Sequence, residues 1–258
     1  MLDLTAIARA LGPQACRFDI DLLPVCDSTN AVLLARGEQG APAGSVVVAE
    51  IQTAGRGRRG RPWFAAPGDS LTFSLLWRFP PGTSPAGLSL AVGLAVVRAL
   101  DKLGAGRTAR LALKWPNDVL MDGLKLAGIL IELLPGATHA AVIGIGVNLR
   151  RPASLPVELC PRAAALGGEC PPDVLLAALL GELFAALQTF TNQGFAGLRG
   201  DWMACHAHQD QPVCLLSDFA PAREGICRGV DGDGALLFEV DGRIERVLSG
   251  EVSLRGTP

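Results

Sequence analysis

Between residues 51 and 68 the chain carries Arg56, Arg58, Arg59 and Arg61 and no acid, a local charge of +4 in a protein of formal net charge −2. The rest of the chain therefore sums to −6. So local a cation on a mildly acidic body points to one bound anion, not to a surface that coats nucleic acid. Gly55-Arg56-Gly57-Arg58-Arg59-Gly60-Arg61 satisfies G-x-G-x-x-G literally. A dinucleotide fingerprint needs a helix to open directly behind it, and Pro62-Trp63-Phe64-Ala65-Ala66-Pro67-Gly68 cannot supply one. No Lys-Ser or Lys-Thr pair closes the loop, which excludes a Walker A site. Beside a plain solvated basic loop, two readings stand. Arg59-Gly60-Arg61-Pro62 has the make-up of hooks that enter an A·T minor groove. Alternatively, the glycines let backbone N–H groups approach an anion while the arginines supply forks for carboxylate or phosphate. Because the loop joins two apolar strands and includes Trp63, a phosphate-bearing small molecule fits better.

The second chemical signal is a scarcity. Of 23 basic residues only Lys102, Lys114 and Lys125 are lysines. Lys114 opens Lys114-Trp115-Pro116-Asn117-Asp118, where Pro116 turns the chain and sets Asn117 and Asp118 at the exit. Lys125 is a lone charge in Leu124-Lys125-Leu126-Ala127-Gly128-Ile129-Leu130. An ordinary β-turn and an edge lysine are the plain readings. An ammonium, however, is a compact point charge that can lie between two oxygen atoms as a guanidinium fork cannot. Joining a carboxylate to a phosphate requires such a charge, worth roughly 4 kcal/mol per pair at about 4 Å in an effective dielectric near 20. Gly144-Ile145-Gly146-Val147-Asn148 ends a strand with two glycines, as a core strand or a close ligand approach would.

These segments must be held by ordered elements. A helix is expected over Leu2 to Leu11, ended by Gly12-Pro13, and Asp27-Ser28-Thr29-Asn30 offers caps for a second. Ser45 to Ile51 and Ser70 to Phe79 read as strands on either side of the Gly/Arg loop. Ser84-Pro85 predicts a helix start running to about Leu103. Strands follow at Arg110 to Trp115, Leu124 to Leu133 and His139 to Val147, with an Asp122-Gly123 hairpin turn between the first two. Asp173 is expected to cap a helix to about Phe190, and a short helix to run from Phe195 to Cys205. From Gln211 onward short alternating segments appear, with Asp231-Gly232-Asp233-Gly234 and Asp241-Gly242 as turns, the pattern of a small all-β barrel. Consecutive strands favour a mixed sheet over a doubly wound one.

Composition narrows the class. At 258 residues the chain can bury its own core, and Gly 31 with Pro 18 stays below low complexity. The longest stretch without charge, between Arg78 and Arg98, is interrupted by prolines, and no secretory signal opens the chain. Seven cysteines at 16, 26, 160, 170, 205, 214 and 227 fit neither a zinc knuckle nor a redox pair and read as reduced thiols of a cytoplasmic protein.

Taken in order, Ser28-Thr29-Asn30, Gln52 to Arg61, Lys114 to Asp118, Lys125 to Leu130, Gly144 to Asn148 and Gly250-Glu251-Val252-Ser253-Leu254-Arg255 resemble bacterial biotin protein ligase. The resemblance implies an α/β (α+β) catalytic domain with a mixed sheet over residues 1–210 and an SH3-like β-barrel over 211–258. It implies that biotin and ATP give biotinyl-5′-AMP, whose acyl group passes to a lysine of a biotin carboxyl carrier protein, as in acetyl-CoA carboxylase. By resemblance the biotin residues are Ser28, Thr29, Asn30, Gln52, Gly55, Arg56, Gly57, Arg58, Lys125 and Gly128. Trp63, Lys114, Asn117, Asp118, Asn148, Glu251 and Arg255 would face ATP, with Asp118 also touching Mg2+. Lys125 and Arg58 would be catalytic, the latter retaining the adenylate. Only 26 residues precede Asp27, too few for the winged helix-turn-helix of some relatives, so no operator binding is expected, and with no spanning stretch no membrane partner is expected either. A homodimer through a sheet edge is an expectation of the resemblance. A lipoate or octanoyl transferase of the same fold is the alternative.

Overall fold

The computed structural model describes residues 2–64, 66–151, 156, 162–168, 170–217, 220–249 and 252–256. After α1 (Leu4–Leu11), capped by the Asp3 carboxylate on the Thr5 N–H, the chain enters β1 (Asp19–Cys26), α2 (Thr29–Glu38), β2 (Ser45–Gln52) and β3 (Ser70–Arg78). Helix α3 (Leu88–Lys102) leads to β4 (Leu111–Lys114), β5 (Asp118–Met121), β6 (Leu124–Leu134) and β7 (Ala137–Asn148), and then come α4 (Pro172–Gln193) and α5 (Arg199–Ala204). Five strands close the described chain: β8 (Pro212–Ser217), β9 (Arg223–Val230), β10 (Leu236–Val240), β11 (Arg243–Val247) and β12 (Val252–Gly256).

The first seven strands form one mixed sheet in the order β1-β2-β3-β7-β6-β5-β4, parallel only between β1 and β2. Period-two alternation decides its two faces. Val46, Val48, Leu71, Phe73, Leu75, Ile143, Ile145 and Val147 point into the main core with α3 and α4. Val47, Leu76, Ala140 and Val142 point the other way, beneath Leu33 of α2. Helix α4 is 22 residues long and holds an 18-residue stretch of mean hydropathy 1.7, long and apolar enough to cross a membrane. Here Leu175, Leu176, Leu179, Leu180, Leu183, Leu187 and Phe190 are buried inside the protein, so the helix serves as a core element.

Several local expectations are corrected. Helix α3 starts at Leu88 behind Gly87, whose φ of 77° suits an achiral residue, so Ser84-Pro85 lies outside it. Asp173 does not cap α4; Pro171 holds that position and the Asp173 carboxylate instead accepts from Asp3 N at 2.8 Å. The Asp122-Gly123 turn, with φ of 51° and 80°, joins β5 to β6, because Asp118–Met121 is itself a strand. Lys125 sits in the sheet interior, β6 being paired on both sides, which removes the edge-lysine reading. The C-terminal β unit is an antiparallel sheet ordered β11-β10-β9-β8-β12, whose ladder does not close into a complete barrel. It is tied to the larger body by the Trp115 indole N–H on Gly234 O (3.1 Å) and by Arg199 Nε on Val230 O (2.7 Å).

Candidate active site

The sheet face that α2 covers changes character along β7. Val142 is apolar beneath the helix; two and four residues on, the same face offers Gly144 and Gly146. Strand register extends this change into two rows. One runs Val47, Ser74, Gly144, Leu130, and the other Ala49, Thr72, Gly146, Gly128, Asp118, Lys114. A Cβ at Gly144 would lie 2.3 Å from Asn30 Oδ1, one at Gly146 2.5 Å from the Trp63 indole, and one at Gly128 3.2 Å from the same ring. The glycines thus make a floor on which Asn30 and Trp63 rest, and above it opens a cavity of about 1050 Å³. Among the described residues eight cations line it (Arg56, Arg58, Arg59, Arg61, Lys114, Lys125, Arg162, Arg255) against one carboxylate, Asp118.

At the α2 end the wall is a continuous polar chain. Ser28 holds the N-cap position of α2, but no side-chain cap bond is made by it; Gln52 Oε1 accepts from Thr29 N at 2.8 Å instead. Thr29 Oγ1 lies 3.2 Å from Gln52 Oε1 and 2.7 Å from Ser74 Oγ, which lies 2.6 Å from Asn30 Oδ1. Asn30 Nδ2 donates to Glu132 Oε2 at 2.7 Å, and Glu132 Oε1 accepts from Arg56 at 3.0 Å. All of Ser28, Thr29, Asn30 and Ser74 are buried, as pairing of this quality permits.

The Gly/Arg loop folds back on itself: Gly57 N donates to Arg61 O (2.7 Å) and Trp63 N to Gly55 O (2.9 Å), with Arg56 bridged to Pro62. Arg58 donates to Asn117 Oδ1 at 3.3 Å and to the carbonyl of Ser249, while Asn117 Nδ2 donates to Ile129 O at 2.9 Å. Burial lowers the Arg58 pKa and Asp118 works against that.

Asp118 sits between the two rare lysines. Lys125 Nζ is 2.6 Å from Oδ1 and Lys114 Nζ 3.5 Å from Oδ2. Burial opposes ionisation of Asp118, yet Lys125 and Lys114 hold its pKa below the usual carboxylate value. Burial, with Arg255 and Lys125 nearby, pushes the Lys114 ammonium down although Asp118 supports it. Lys125 Nζ also lies 5.9 Å from the centre of the Trp63 ring. Asn148 Nδ2 donates to Ala164 O at 2.9 Å beside Lys125. No group of three or more His, Cys, Asp or Glu side chains able to hold a metal occurs among the described residues.

Of the residues expected at the site, all but two line this cavity. Gly55 is not a lining residue, its carbonyl accepting from Trp63 N where the loop folds back, and Glu251 is outside the described residues. Ser74, Glu132, Arg162 and His208 were not anticipated. Their partners or cavity neighbours are up to about a hundred residues away in sequence, and only Glu132, an acid in an apolar strand, left a local trace.

Residues 22–148 match the biotin/lipoate A/B protein ligase family and residues 210–255 the biotin protein ligase C terminal domain. The bifunctional ligase/repressor BirA of Escherichia coli is 41% identical over 243 residues, spanning 92% of this chain and 74% of that protein. The biotin--[acetyl-CoA-carboxylase] ligase of Paracoccus denitrificans is 37% identical over 91% of this chain and 100% of its own length. A biotin protein ligase from Aquifex aeolicus solved in complex with biotin and ATP superposes with a TM-score of 0.79 at 30% identity, over 93% of this chain and 99% of that one. The chain belongs to the biotin protein ligase family and is an ATP-dependent biotin ligase.

Proposed function

We propose that this one cavity joins biotin to AMP and then delivers the acyl group to a carrier lysine, with the polar chain at α2 holding the ureido ring and the cationic end holding the nucleotide. The carrying observation is Lys125, whose ammonium lies 2.6 Å from Asp118 and against Gly128 of the glycine floor. In the first step a biotin carboxylate oxygen bonds to the α-phosphorus and the bond to the β-phosphate breaks, releasing pyrophosphate. Lys125 bridges the attacking oxygen and the α-phosphate, offsetting the repulsion of two anions. Asp118 is the positioning group that fixes its ammonium. In the second step the neutral amine of the carrier lysine bonds to the acyl carbon, the carbon–oxygen bond to phosphate breaks, and AMP leaves while the amine's surplus proton passes to water. No protein nucleophile is needed, because the mixed anhydride is already activated; placement supplies the rest. Trp63 lies against the adenine, and Lys114, Asn117, Asn148, Arg255 and Glu251 serve the nucleotide side.

Mg2+ fits this donor set in a limited way. Each Asp118 oxygen already accepts from a lysine and retains a lone pair for one further contact, and Mg2+ characteristically takes one or two carboxylates with the rest from phosphates and water. It would enter with ATP and supply further neutralisation of the phosphates.

The acceptor in this reading is a biotin carboxyl carrier protein of acetyl-CoA carboxylase, in keeping with the names of the Mycobacterium tuberculosis and Paracoccus denitrificans relatives. We place the enzyme in the cytoplasm, where its described cysteines, all free thiols, stay reduced. We divide it at residues 210/211 and expect a homodimer. Nucleic acid and membrane have no part in it: Arg56 and Arg58 are engaged with Glu132 and Asn117 rather than offered to a groove. Incubation with biotin, ATP and a carrier domain should biotinylate one carrier lysine, with lipoate failing to compete; preference for lipoate would favour the transferase alternative.

A further inference from the structure

His208 lines the cavity and has no part in the reaction above. It reaches the site from the segment that leads from α5 into β8. Leu113 N donates to Cys205 O at 2.7 Å and Ala207 N to Leu113 O at 2.8 Å, so residues 205–207 run parallel to β4 as one more edge. His208 follows directly, with Gly256 at the end of β12 against it; a Cβ there would lie 3.5 Å from Nε2. The floor row therefore continues past Lys114. Trp63 lies over Gly146 and Gly128, Asp118 with Lys125 comes next, then Lys114, and last this segment. Each step is one strand spacing of about 4.8 Å. The attacking carboxylate comes from the α2 end, and in phosphoryl transfer the attacking and leaving oxygens lie roughly in line. Pyrophosphate therefore departs the opposite way, toward Lys114, Arg255 and His208, which all line the cavity.

Neither imidazole nitrogen of His208 has a hydrogen-bond partner among the described residues, but only Nδ1 is buried. A neutral ring carries one N–H. On Nδ1 that proton would be enclosed with nothing to accept it, so it belongs on Nε2, the accessible nitrogen. Burial, and then the Lys114 ammonium, lower the His208 pKa and keep the ring neutral. We propose that His208 is a binding residue for the leaving pyrophosphate, its Nε2–H donating to a β- or γ-phosphate oxygen beside Lys114 and Arg255. The inference rests on the reading that this cavity makes biotinyl-AMP from biotin and ATP.

His208→Leu removes both nitrogens. Because the buried Nδ1 makes no bond, the melting temperature should hold or rise. The ATP KM for pyrophosphate release should rise about tenfold or more, the scale of one hydrogen bond to a charged group, with the biotin KM within about twofold. The inhibition constant of inorganic pyrophosphate against ATP should rise by a similar factor. Transfer from preformed biotinyl-AMP to a carrier domain involves no β- or γ-phosphate and should keep its wild-type rate. His208→Gln, whose amide nitrogen reaches about as far as Nε2, should recover most of the loss. His208→Asn stops short and should not, which keeps the test decisive if His208→Leu does not fold. An ATP KM and a pyrophosphate constant that stay at wild-type values in the leucine and asparagine variants overturn the proposal. So does a His208→Gln no better than His208→Leu, or a loss that falls equally on transfer from the preformed adenylate, the mark of a purely structural joint. A wild type that makes no biotinyl adenylate overturns the functional reading instead.

Discussion

The glycine floor makes a crossed prediction. Gly144 and Gly146 lie two residues apart on one face of one strand, and neither has a positive φ, so alanine is compatible with the backbone of either. A Cβ at Gly146 would stand 2.5 Å from Cε2 and Cζ2 of Trp63, whereas carbon atoms settle at about 3.5–4.0 Å. The indole must therefore retreat by about 1 Å, or the strand must yield. Overpacking of this kind costs about 1–3 kcal/mol, equivalent to roughly 5- to 150-fold in binding. In Gly146→Ala the loss should fall on the ATP KM and spare the biotin KM. In Gly144→Ala the new methyl meets Asn30 Oδ1 at 2.3 Å, so the biotin KM should rise and the ATP KM stay near wild type. Steady-state pyrophosphate release, with each substrate varied in turn, reads both. Two variants with the same pattern, or neither KM moving, would refute the division of the cavity into a ureido half and a nucleotide half.

Other expectations follow from the charges. Lys125→Ala should lower pyrophosphate release about a thousandfold, as loss of roughly 4 kcal/mol implies, with the melting temperature little changed; near-normal release would exclude its bridging role. Arg58→Gly should still form adenylate but let it escape, seen as biotin on bystander lysines by mass spectrometry, and labelling confined to the carrier would contradict that. Burial lowers the His206 pKa to about 4, with His208 adding to the effect. A folded-state value below the unfolded one means that the imidazole is kept neutral, so its contribution is intact above about pH 6.5 and is lost as pH falls toward 4, by up to about 3 kcal/mol. His206→Phe, which keeps a ring against Trp202, should flatten the denaturation midpoint over that window; an unchanged slope would assign it to other groups.

Local chemistry was legible in the sequence where one residue type had one use. Asp122-Gly123 turned as its pair predicts, and the scarcity of lysine singled out Lys114 and Lys125, which share Asp118. The first strand escaped because Asp19–Cys26 is an edge carrying Pro24 and half-exposed side chains, with little apolar contrast to read. Strand β5 was hidden because Pro116-Asn117-Asp118 looks like the end of a strand, whereas Trp115-Pro116-Asn117 is the turn between two and Asp118 opens the second. Ser84-Pro85 has the chemistry of a helix start, but the packing of Gly87 against Phe195 and Gly234 sets the true one. Glu132 and Ser74 are paired with residues distant in sequence that the register of the sheet brings near, and Arg162 reaches the cavity from outside the strands.

In the proposed reaction one site first makes, and then holds, a biotin–AMP anhydride. A rapid-quench experiment with α-labelled ATP and biotin, in the absence of any acceptor, tests it directly. A burst of close to one biotinyl-AMP and one pyrophosphate per active site is expected, with the adenylate staying bound until carrier is added and AMP then released as one carrier lysine gains biotin. Pyrophosphate formed only once carrier is present, with no adenylate trapped beforehand, would contradict it.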